Sequence, residues 1–110
     1  MFYEFFLQGV FMKTILKNYL FDGIESLRSV LKSALRGYTS VTPRILETFD
    51  LLGFEVSRKQ NHYILITHTS FYSDKHPDRI LVFSLSNTPS DKRAGLNAAS
   101  TICNTILMYL

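Results

Sequence analysis

The sequence predicts an α+β fold in which a three-stranded antiparallel sheet packs against helices. Three observations predict it. Capping residues and prolines precede stripes of apolar side chains at helical spacing. The middle third holds runs of alternating, strand-forming residues. The connections between those runs are short, which makes an antiparallel meander the simplest pairing. With 110 residues the chain suffices for one domain and not for two. Its 46% of apolar residues, nine Phe and six Tyr among them, supply a core and argue against global disorder.

The chain opens with MFYEFFLQGVF, aromatic and apolar with Glu4 the only charge. Lys13 and Lys17 follow the apolar run rather than precede it, and no small-residue cleavage site appears, so the segment does not read as a signal peptide. No stretch approaches the roughly 18 uninterrupted apolar residues of a membrane span. An extra strand or a helical packing segment accounts for it, and Met12 offers an alternative start. Residues 1–21 are therefore set apart as an aromatic N-terminal segment. Residues 22–110 form the single domain, with its core in 42–110.

Asp22-Gly23-Ile24-Glu25 has the pattern of a helix start, an aspartate cap answered by a glutamate. Ile24, Leu27, Leu31 and Leu35 then share one face, and Gly37 offers a stop, giving a helix over 23–36. Thr42-Pro43 caps a second, short helix with Ile45, Leu46, Phe49 and Leu52 on its buried side and Gly53 at its end. Phe54 and Val56 alternate with polar residues as a first strand. A turn is expected over 58–61, with Asn61 in the unusual dihedral. Strands over 62–69 and 79–85 flank the polar loop SFYSDKHPD. Thr88-Pro89-Ser90-Asp91 repeats the cap logic and starts the last helix. Its stripe runs through Ala94, Ala98, Ile102, Ile106 and Leu110, with Gly95 allowing close approach to a strand.

A net charge of +3 permits contact with an anionic partner without establishing it, so local placement decides. The candidate placement is SRKQNHY. Arg58 and Lys59 stand just before His62, and Asn61 offers an amide donor. A histidine titrating near neutrality can take or return a proton at a ribose hydroxyl, and neighbouring cations can hold the phosphate. Ser90, Lys92 and Arg93, beside the free amides expected at the last helix start, form the second phosphate-binding element. Tyr63, Phe71 and Tyr72 are candidates for stacking on bases.

Metal chemistry fits poorly. His62 and His68 lie too far apart along one strand to share an ion, His76, Asp74 and Asp78 sit on a loop, and no cysteine cluster or HExxH pattern exists. No cofactor is implied. The lone Cys103 falls in the apolar pattern of the last helix and reads as a reduced core thiol, which points to the cytoplasm.

Two stretches, LLGFEVSRKQNHY and LSNTPSDKRAGLNAASTI, make the chain from residue 42 onward resemble the HicA toxin family and its HicA-like relatives. The resemblance implies a fold like a double-stranded-RNA-binding domain, here with an extra N-terminal helix. It implies a metal-independent mRNA endoribonuclease toxin, inhibited by a HicB-like antitoxin protein, with His62 as the catalytic histidine. It implies that Arg58, Lys59, Ser90 and Lys92 hold the RNA. Typical members carry Gly-Ser before the histidine, where this chain has Gln60-Asn61. Residues 1–37 lie outside the resemblance; enlarging the domain, covering the open sheet face and making a homodimer are the three roles open to them. A noncatalytic RNA-binding module on the same surface is the alternative reading.

Overall fold

The computed structural model describes Leu20, residues 23–73, Lys75 and residues 77–110. Apart from Leu20, the aromatic N-terminal segment lies outside the described residues, as do the Asp22 cap, Asp74 and His76. The element order is α1 (Glu25–Leu35), α2 (Pro43–Leu51), β1 (Glu55–Lys59), β2 (His62–His68), a short 3-10 turn (Thr69–Phe71), β3 (Ile80–Ser86) and α3 (Ala94–Leu107). The three strands form an antiparallel sheet in the order β1-β2-β3, as the short connections demand.

α2 follows its sequence signals closely. The Thr42 hydroxyl accepts from the Ile45 amide at 3.3 Å, Pro43 leads the helix, and Gly53 leaves it at φ +94°. α1 starts at Glu25 with no side-chain cap on Ile24. α3 departs from expectation. It begins at Ala94 rather than next to Thr88, because Asp91 turns its carboxylate onto the Arg93 amide (2.9 Å) and its carbonyl onto the Ala94 amide (3.1 Å). Those bonds build a turn ahead of the helix and absorb the cap logic read from residues 88–91.

One core joins the sheet to the helices. Leu27, Leu31 and Leu35 of α1 are wholly buried, as are Phe49 of α2, Leu65 of β2, and Ala99, Cys103 and Ile106 of α3. Each large side chain so buried contributes about 1.5–3 kcal/mol. Phe49 meets Phe54 edge-on at 5.3 Å, and Phe54 meets Phe83 at 6.2 Å, tying α2 to β1 and β3. α1 packs along α3, and Gly95 permits it. A Cβ there would lie 1.8 Å from the Leu35 carbonyl oxygen, so the close neighbour of Gly95 is a helix and not a strand.

Alternation along the strands divides the sheet into two faces. Leu65, Thr67, Leu81, Phe83 and Leu85 are buried against the helices. His62, Ile64, Ile66, His68, Ile80, Val82 and Ser84 point to the other side, where Ile80 and Val82 are 62% and 59% exposed. No described helix covers that second face.

Candidate functional site

The β1–β2 hairpin positions the predicted residues. β1 runs on through Lys59, so Arg58 and Lys59 belong to the strand, and the turn is the pair Gln60-Asn61. Gln60, at φ +56°, takes the left-handed conformation expected of Asn61. Asn61 does other work. Its side-chain amide donates to the Thr88 hydroxyl at 2.9 Å, and its carbonyl accepts from the Asn87 amide at 2.9 Å. These two bonds pin the hairpin tip to the loop carrying Ser90, Lys92 and Arg93.

His62 opens β2, exposed, on the helix-free face. It pairs with Lys59 on one side and Ser86 on the other, and directly opposed residues share a face. Lys59 and His62 therefore stand side by side, both exposed. Among the described residues the His62 ring has no hydrogen-bond partner, so both ring nitrogens remain open to a ligand. Arg58 is one residue out of step and points to the opposite side. Its Nε donates to the Gln60 carbonyl at 3.2 Å, and its guanidinium lies 5.6 Å from the centre of the Tyr63 ring.

Ser90, Lys92 and Arg93 are exposed in the loop before α3. Because α3 starts at Ala94, the amides of residues 90–92 are not its free N-terminal amides, and the expected helix-end phosphate site is corrected to a basic loop. The aromatic candidates are also revised. Tyr72 is buried, which pushes its hydroxyl up to about 12, with Tyr109 adding to the rise. Tyr63 and Phe71 are half-buried and pack against the core, not free for stacking.

At the far end of β2, His68 forms a pair with Asp78 that metal-spacing arguments alone pass over. Its Nδ1 lies 3.3 Å from the Asp78 carboxylate, and its ring stands 5.4 Å from that of Phe71. The Ser70 amide donates to the other carboxylate oxygen at 3.2 Å. That amide, then the His68 ring, holds Asp78 below the usual carboxylate range. The Thr69 hydroxyl accepts from the Arg79 amide at 2.8 Å and donates to the Pro77 carbonyl at 3.2 Å. Together these bonds close the β2–β3 loop, so the pair acts as a clasp. Six residue steps along the strand, roughly 20 Å, separate it from His62. Among the described residues no three His, Cys, Asp or Glu side chains gather as metal ligands.

The fold and site thus define an α+β domain with an exposed histidine and lysine on an open sheet face, beside a basic loop. Among the described residues no helix is long and apolar enough to cross a membrane. No protein-family model, curated protein or solved structure gives a significant match to the chain.

Proposed function

We propose that the protein is a metal-independent endoribonuclease that cleaves mRNA, a HicA-like toxin held in check by a HicB-like antitoxin in the cytoplasm. The observation that carries this reading is the Asn61–Thr88 hydrogen bond at 2.9 Å, which fastens the His62 hairpin to the loop of Lys92 and Arg93. Lys59 and that loop attract the phosphate chain. His62, with both ring nitrogens open, takes the proton from a ribose 2′-hydroxyl as its oxygen attacks the adjacent phosphorus, and the leaving 5′-oxygen is protonated by water or a second side chain. Arg58 steadies the hairpin from the other side. The resemblance of LLGFEVSRKQNHY and TPSDKRA to HicA-like proteins supports the same assignment of His62.

The test is cleavage of a single-stranded RNA in excess EDTA. Wild-type protein should cut it, and His62→Ala should lose cutting by at least about 100-fold, the lower end of acid–base contributions, while still binding. Intact RNA with both proteins, bound with equal affinity, would leave a noncatalytic RNA-binding module instead.

A further inference from the structure

The outer surface of the helix layer, on the opposite side of the molecule from His62, carries a second concentration of positive charge. Arg28, Lys32 and Arg36 follow one another at four-residue intervals along α1 and its C-cap and line one hollow; Arg36 also lines, with Arg44 of α2, an adjoining groove between α1 and α2 that shares Ser29 and Ser33 with the first. Glu25 is the one acid lining this surface, and it is tied to Arg28 at 3.4 Å. No carboxylate of the described residues lies within ion-pair distance of Lys32, Arg36 or Arg44. Cations spaced four apart repel one another along a helix. The negative end of α1 accounts for Lys32 and Arg36 in its last turn and beyond. It does not account for Arg44, which sits in the first turn of α2, where the dipole favours an acid and there is none.

The wall between these cations is made of hydroxyls. Ser29, Ser33, Ser40 and Thr42 line the groove. The Thr42 oxygen already accepts from the Ile45 amide, so its proton is left to donate. Arginine, lysine and hydroxyl donors without interleaved carboxylates are the set that contacts nucleic-acid phosphates. One aromatic ring, Tyr38, lines the groove, and its hydroxyl is spent on the Ser86 carbonyl at 2.9 Å. Unpaired bases need successive stacking platforms, and one half-buried ring does not supply them. A regular duplex presents its phosphates with bases turned inward and needs none.

We propose that the α1–α2 groove and the adjoining hollow along α1 together form a second, sequence-independent site for the phosphate backbone of a nucleic-acid duplex, with Arg36 and Arg44 as the cations of the groove and Arg28 and Lys32 as those of the hollow. It does not depend on His62. It gives the N-terminal helix, which the HicA-like pattern leaves unexplained, a task of tethering the protein to structured nucleic acid.

The experiment measures fluorescence anisotropy of a labelled RNA duplex and a DNA duplex of the same sequence, over increasing KCl with EDTA present. Every measurement is made in wild type and in the His62→Ala background, so that cleavage and binding read out separately. The triple variant Lys32→Ala/Arg36→Ala/Arg44→Ala changes two exposed side chains and the half-buried Lys32, and circular dichroism melting confirms its fold. It should bind at least about tenfold more weakly and lose about three units from the slope of log affinity against log salt. Equal loss for both duplexes and a larger loss for RNA both support the site; the second adds ribose contacts. Unchanged affinity and slope in the triple variant would overturn it, as would a polyglutamate peptide that binds wild type as tightly as either duplex. Should wild type cut no RNA while the triple variant still loses slope, the nuclease reading alone fails.

Discussion

Replacing Gly95 with alanine sets two physical effects against each other, and the structure decides which one wins. In an exposed helix the change stabilises by about 1 kcal/mol, because glycine surrenders more backbone freedom. Here the new methyl would lie 1.8 Å from the Leu35 carbonyl oxygen and 2.7 Å from its carbon. Ordinary contact begins at 3.4 Å, so α1 must retreat by roughly 1.6 Å, the difference from 1.8 Å. The obstacle is backbone, and no rotamer change relieves it. Retreat opens a gap along Leu27, Leu31 and Leu35, each wholly buried. A gap of even about 1 Å forfeits up to half of a contact's dispersion energy. Losing a third to a half of the burial worth of three leucines costs about 2–4 kcal/mol. After the propensity gain the net loss is about 2 kcal/mol, a fall in Tm of roughly 10 °C for a domain of this size. Urea unfolding followed by far-ultraviolet circular dichroism reads the difference. Asn97→Ala, at an exposed position of the same helix, isolates the propensity gain and should be neutral to slightly stabilising. A Gly95→Ala protein as stable as wild type would refute the close packing of α1 on α3.

Thr67 is completely buried and its hydroxyl has no partner among the described residues, so Thr67→Val should raise stability by about 1 kcal/mol in the same urea assay; a loss would reveal a bond to that oxygen. Thr42→Ala removes the α2 cap and should cost about 1 kcal/mol, read as a lower urea midpoint at unchanged slope. Asp78 is held below its ordinary pKa of 3.8 in the folded state, so its stabilising contribution is complete above that value and is lost as pH falls through the lowered folded value. Hydrogen exchange at the Ser70 amide, corrected for intrinsic rate, should therefore lose protection below about pH 3.8, and Asp78→Asn should weaken it even at neutral pH.

The fold was legible wherever a local signal acts alone. Thr42-Pro43 fixes the start of α2 because cap and proline act within one turn. The β2 and β3 alternation fixes two faces because side-chain direction has period two. Legibility failed where one residue had competing uses. Asp91 reads as a third-position helix acid, yet it bonds the Arg93 amide and delays α3 to Ala94. Asn61 reads as the left-handed turn residue, yet its side chain is worth more bridging to Thr88, and Gln60 takes the strained conformation instead. Neither choice can be made from neighbours in sequence, because the deciding partners are set by tertiary pairing.

The same logic separates the parts of the candidate site. Strand parity alone puts Lys59 beside His62 and sends Arg58 to the other face once the hairpin turn is known to be two residues long. A turn one residue longer would reverse that choice and set Arg58, not Lys59, opposite His62. The hairpin length thus decides which cation the imidazole meets and which one turns to the other face. The turn that sets it rests on Gln60 at φ +56° and on the bonds from Asn61 to residues 87 and 88. Asn61 accordingly acts as a positioning residue: it contacts no substrate atom in this reading, yet it holds the register that places Lys59 next to His62 and anchors both to the basic loop. Its replacement should weaken RNA binding and cleavage together, whereas His62→Ala should spare binding.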